Sequence, residues 1–180
     1  MKKIYRNILL IAGTGRNSGK TTLACNIIEK FSNYFEVTAV KISPHFHQGT
    51  NNLEAIDKSK GYNIYLETKK DNGKDSARMF KAGASKVYYV EVLDNCLMDA
   101  FLAIIKKIPP SSPVVCESPA LRNYIIPGVF LVVDHPETKN KKAEILKWKR
   151  VADEFIDTSN RNTGTTVERL EFNKNGWWLK

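Results

Sequence analysis

Lys20, Thr21, Asp75 and Glu117 are the residues whose types and surroundings can do chemistry on a phosphate chain. Lys20 and Thr21 close a glycine-rich stretch, Gly13-Thr14-Gly15-Arg16-Asn17-Ser18-Gly19-Lys20-Thr21-Thr22. Glycines let backbone N–H groups crowd around an anion, and a helix opening there adds orphan donors and a partial positive charge. Lys20 supplies a full charge for the outer phosphates. The Thr21 hydroxyl can ligate the Mg2+ that accompanies them. The spacing is G-x-x-x-x-x-G-K-T, one residue longer than the usual phosphate-binding loop. Thr14 stands where the first glycine is expected, Gly13 lies one residue earlier, and Gly15 can carry a positive φ instead.

A carboxylate ending a neighbouring strand commonly completes such a magnesium site. Glu117, after Val114-Val115-Cys116, is favoured over Asp134, after Phe130 to Val133, because a loop with Ser118, Pro119 and Arg122 follows it and leaves room. Gly73-Lys74-Asp75-Ser76 opens a second helical segment. Asp75 either caps backbone N–H groups there or faces the γ-phosphate and Mg2+, with Lys74 adding charge. Lys41, His45 and His47 cluster after the second strand. No Cys or third His stands nearby to complete a zinc set. At the carboxyl ends of parallel strands these residues suit contact with a phosphate or substrate, and solvent-exposed loop histidines are the alternative.

These residues need a scaffold, and the hydrophobic pattern supplies one. Ile8 to Ala12 is an unbroken apolar run, as in a strand buried on both faces, within a strand from Arg6. Leu23, Ala24, Ile27, Ile28 and Phe31 recur at helical spacing up to Ser32-Asn33. Phe35 to Ile42, Ser85 to Val92, Pro113 to Cys116, Gly128 to Val133 and Ala152 to Asp157 read as further strands. Asp75 to Lys81 reads as a short helix stopped at Gly83. Asp94 or Asn95 can cap a helix carrying Leu97, Phe101, Ile104, Ile105 and Ile108, which Pro109-Pro110 ends. Ser43 to Gly73 reads as long and irregular, with a helical piece at Leu53 to Lys58. Pro136 to Trp148 reads as a basic amphipathic helix with a solvated face, and the tail, Val167 to Lys180, as a hairpin turning at Asn175-Gly176. The pattern predicts one three-layer α/β domain over residues 1–180, of the phosphate-loop NTPase kind, with a mostly parallel sheet and a C-terminal hairpin.

Composition narrows the function classes. The net charge of +9 favours polyanionic partners such as nucleotides. No aromatic-rich RNA-binding signature accompanies it, so nucleic acid is not expected. No apolar run approaches the ~20 residues needed to cross a bilayer. Removing the basic start as a cleaved signal would destroy the first strand. Cys25, Cys96 and Cys116 lack C-x-x-C spacing and read as buried free thiols, as expected in a reducing cytoplasm.

Three separated pieces, GKTT at 19–22, VKISPHFH at 40–47 and GKDSARMFKAGAS at 73–85, together resemble the molybdopterin-guanine dinucleotide biosynthesis adaptor (MobB) family. The resemblance spans about residues 6 to 92. It implies a GTP-binding protein with weak hydrolysis that assists the enzyme attaching GMP to molybdopterin. Its partners would be a pterin nucleotide and that synthase, and it would form a homodimer. Lys20 and Thr21 would bind phosphate and Mg2+, Lys41, His45 and His47 would line the site, and Asp75 would act near the γ-phosphate. The longer loop is similar instead to dethiobiotin synthetase, an ATP-dependent enzyme in which a Thr and two carboxylates hold magnesium, matched here by Thr21, Asp75 and Glu117. A guanine-reading N-K-x-D motif is not found; Asn140-Lys141-Lys142-Ala143 lacks the Asp. GTP and ATP therefore both stand, as does a regulatory nucleotide-binding module.

Overall fold

The structure, a computed structural model, describes residues 2–15, 17–46, 53–71, 73–135, 145–160 and 163–180. Its first strand, β1 (Lys3–Gly13), leads through the glycine-rich loop into α1 (Lys20–Ser32). There follow β2 (Thr38–Ser43), β3 (Glu54–Ser59), β4 (Tyr62–Leu66), α2 (Asp75–Lys81), β5 (Lys86–Val92) and α3 (Leu97–Ile105). The remainder comprises β6 (Val114–Glu117), β7 (Ile125–Asp134), α4 (Ile145–Lys149), β8 (Glu154–Asp157), α5 (Thr163–Arg169), β9 (Leu170–Asn173) and β10 (Gly176–Leu179).

Eight strands form one sheet in the order β3-β4-β5-β2-β6-β1-β7-β8, and β9 and β10 form a separate antiparallel hairpin. From β5 to β8 neighbouring strands run parallel; β3 and β4 add antiparallel at the β5 edge. The chain is thus a layered α/β structure with a mostly parallel sheet, as its alternating pattern predicts. Ile8 to Ala12 are fully buried because cores lie on both faces. On one face Ile8, Leu10 and Ala12 pack with α3 and Trp148. On the other, Leu9 and Ile11 pack with α1, Met79 and the hairpin residues Leu170, Phe172 and Trp177. All five apolar positions of α1 are buried, as helical spacing requires.

Several local expectations are corrected. The Leu53 to Lys58 stretch is a strand, not a helix: it belongs to the β3–β4 hairpin, which turns at Lys60-Gly61 with Gly61 at φ +104°. β3 is exposed almost throughout, so its sequence has no apolar alternation to betray it. Neither Asp94 nor Asn95 caps α3 with a side chain. They form a 3₁₀ turn whose Cys96 N–H donates to Leu93 O at 2.9 Å, and this backbone bond starts the helix. β1 and β7 begin earlier than their apolar runs, paired at Lys3–Ile125 and Ile4–Ile126. β8 starts at Glu154, because the Ala152 N–H still donates to Trp148 O at 2.8 Å. The basic helix is described only at Ile145–Lys149, since residues 136–144 lie outside the described residues.

The tail hairpin turns at Lys174-Asn175, one residue early, with Gly176 at φ +106° pairing Asn173. Val167 to Arg169 belongs to α5 rather than to a strand. This polar helix is held by Glu154, which accepts from Thr166 Oγ1 at 3.1 Å and Arg169 at 2.5 Å. Of the three free cysteines only Cys116 is buried; Cys25 and Cys96 are partly exposed. Among the described residues no helix is long and apolar enough to cross a membrane.

Candidate functional site

The loop between β1 and α1 is shaped by close approaches rather than by side-chain caps. A Cβ on Gly13 would lie 2.3 Å from Ser18 Oγ and 2.6 Å from the Lys20 stem, so a larger residue there would displace both side chains from the loop. The left-handed backbone expected at Gly15 is found at Asn17 (φ 59°) and Gly19 (φ 96°). Gly19 turns the chain into α1, whose first helical bond runs from Leu23 N–H to Gly19 O at 3.0 Å. The amides of Lys20, Thr21 and Thr22 precede that bond and so have no intrahelical acceptor. Lys20 Nζ folds back onto the loop, donating to Gly15 O at 2.7 Å and Ser18 Oγ at 3.2 Å.

Thr14 is fully buried and does not face the cavity. Its N–H donates to Val133 O at 3.0 Å and its hydroxyl to Asp134 Oδ1 at 2.5 Å, stitching the loop to the end of β7. Thr158 adds to this seam, donating to Asp134 O at 3.0 Å. Asp134 is therefore engaged in holding the loop.

Glu117 instead borders the cavity beside the loop. It ends β6 beside β1 and β2, in register with Ile11 and Lys41, and is 2% exposed. Thr21 Oγ1 donates to Glu117 Oε2 at 2.8 Å, and Lys41 Nζ bonds Glu117 Oε1. The same ammonium lies 3.2 Å from Asp75 Oδ2, so one lysine bridges two carboxylates from different elements. Asp75 is the first helical residue of α2, one past the cap position held by Lys74, and its carboxylate engages Lys41 and Arg78. Burial alone would raise its pKa. The Lys41 charge and its hydrogen bond, the neighbouring Thr21 hydroxyl and the Arg78 charge outweigh burial and hold the carboxyl below its ordinary value.

These groups border an open cavity of about 490 Å³ lined by Asn17 to Thr22, Lys41, Asp75, Arg78 and Glu117. Gly13, Thr14, Gly15, His45 and Lys74 are not among its lining residues. Gly13 and Thr14 support the loop from beneath, and Gly15 gives its carbonyl to Lys20. His45 is exposed, with its backbone N–H on Ser43 Oγ at 3.2 Å; Lys74 is the residue before α2. Arg16 and His47 lie outside the described residues. Arg78 is the lining residue that sequence reasoning missed. Its guanidinium reaches Thr22 Oγ1 at 3.2 Å and Asp75 at 3.5 Å. The signal was its position one helical turn after Asp75, where side chains share a face.

The lining carries three cations, Lys20, Lys41 and Arg78, against two carboxylates, at the N-terminal end of α1. Such a site favours an anion with several negative oxygens. An all-oxygen set of one hydroxyl and two carboxylates suits Mg2+. Comparison with protein-family models, with curated proteins and with solved structures finds no match to this chain.

Proposed function

We propose that the chain is a Mg2+-dependent nucleoside-triphosphate-binding protein with slow hydrolysis. The observation that carries this reading is the convergence of Thr21, Lys41, Asp75 and Glu117 at the mouth of the glycine-rich loop. A polyphosphate would lie on the amides of residues 17–22, with the Lys20 ammonium moving from Gly15 O to the outer phosphates. Thr21, Asp75 and Glu117 would hold Mg2+, largely through water, and the ion would neutralise charge on the phosphate chain. Lys41 keeps the two carboxylates together until then and afterwards faces the terminal phosphate. Arg78 adds charge at the same end. Asp75, half-exposed and held below its ordinary pKa, can orient an attacking water but is a weak base, which fits slow turnover.

The resemblance extends the proposal to GTP and to molybdenum cofactor maturation in the cytoplasm, with a pterin nucleotide, its synthase and a second copy of the chain as partners. A second reading is an ATP-dependent ligase or kinase of the dethiobiotin synthetase type. It is favoured by the tight fit of Gly13 in the longer loop and by the two-carboxylate set. Calorimetric titration with Mg·GTP and Mg·ATP separates them: guanine preference supports the first, and clear ATP preference rejects it. Lys20→Ala should abolish binding of both. Asp75→Ala and Glu117→Ala should each weaken the magnesium-dependent part by about 1–3 kcal/mol. Unchanged triphosphate binding in Lys20→Ala would overturn the whole reading.

A further inference from the structure

A second cavity, of about 800 Å³, opens at the foot of β1, the far end of the strand from the phosphate loop. Lys3 to Asn7 form one wall; Ile105, Ile108, Pro110 and Ser111 face Phe172 and the turn at 173–176. Along Lys3 to Tyr5, β1 pairs with β7 on one side. On the other, β6 joins only at Ile8, opposite Val114. Among the described residues no strand pairs with Lys3 to Arg6 on that side.

The reason is local chemistry. The segment entering β6 is Pro109-Pro110-Ser111-Ser112-Pro113, and three prolines cannot donate to a ladder. Asn7 closes the gap above: its side chain donates to Ser112 O at 3.1 Å, and its carbonyl accepts from Trp177 Nε1 at 2.9 Å. Below it remains an open strand edge inside a cleft.

The lining includes Lys3, Arg6 and Lys174 and no Asp or Glu. Ile4, on the same strand, is 52% exposed. We propose that this cleft binds an extended acidic segment of a partner protein as an added strand on β1. Backbone bonds along Lys3–Tyr5 would give the pairing, since the Arg6 carbonyl packs against Gly128 and Gly176, and the three cations would read carboxylates on the segment. An edge of three residues at about 3.3 Å each accommodates a run of about three or four partner residues. Self-pairing of two such edges would oppose Lys3, Arg6 and Lys174 with their own copies, so charge disfavours a second copy of this chain. Phe172 and Tyr5 are buried at 7% and 9%, leaving no aromatic platform for bases.

The test is fluorescence anisotropy of the full chain with a labelled peptide of alternating Val and Glu. The peptide should bind, and its Val/Lys counterpart should not. N-methylation at every second residue should weaken binding by about tenfold in one of the two phases, through loss of one or two net hydrogen bonds. Lys3→Glu with Arg6→Glu should weaken it similarly. Both residues are exposed, so thermal unfolding of that variant should match the parent and show that the fold is intact. Three results would each overturn the proposal: no binding of the Val/Glu peptide, equal binding of the peptides N-methylated in either phase, or a short oligothymidylate that binds this cleft more tightly than the peptide.

Discussion

Replacing Lys41 with Met keeps most of the stem and deletes the ammonium between Asp75 and Glu117. Glu117 is 2% exposed and Lys41 16%, so the variant leaves a buried carboxylate facing another with only Thr21 as donor. Breaking a buried pair by removing one partner costs about 3–5 kcal/mol. The partial exposure of Lys41 and the 45% exposure of Asp75 place this case at the low end, about 3 kcal/mol. For a chain of this size that lowers Tm by about 6–12 °C. The penalty comes from an uncompensated charge, so adding Glu117→Gln should restore most of it, since the amide oxygen can still accept from Thr21. Urea unfolding of the parent, both single variants and the double completes the cycle. A loss below about 1 kcal/mol in Lys41→Met, or a double variant no more stable than that single, would refute the reasoning.

Other outcomes follow from the same structure. Trp177 meets Phe31 edge-on at 4.7 Å and Phe172 at 5.0 Å and donates to Asn7 O. Trp177→Ala should cost about 3–5 kcal/mol and Trp177→Phe about 1 kcal/mol beyond its smaller area, by denaturant titration. Asp75 has a folded pKa below its ordinary value, so its stabilising contribution is complete above pH ~4 and is lost as pH falls through the folded value. The stability gap between the parent and Asp75→Asn should therefore be constant at neutral pH and close in acid. Burial raises the Cys116 and Cys25 thiols, the buried Cys116 more. A thiol reagent at pH 8 should modify Cys96 first, Cys25 slowly and Cys116 only on unfolding.

The sequence by itself determined the layered α/β architecture and the glycine loop with its lysine and threonine. Both rest on local physics: buried parallel strands need unbroken apolar runs, helices need 3.6-residue spacing, and tight strand-to-helix loops favour glycine where a Cβ would crowd its neighbours. It also pointed to Glu117, whose place at the cavity follows from where its strand ends. Tertiary structure alone decided what pairing over long separations controls. Whether Asp75 turns toward the cavity was not legible until β2 brought Lys41 beside it. Asp134 and Glu117 looked alike until Thr14 took one and Thr21 the other. The exposed strand β3 shows no period, because its partner strand, not its own side chains, makes it a strand. The open edge of β1 is likewise invisible in its residues, for it depends on where the prolines before β6 come to lie.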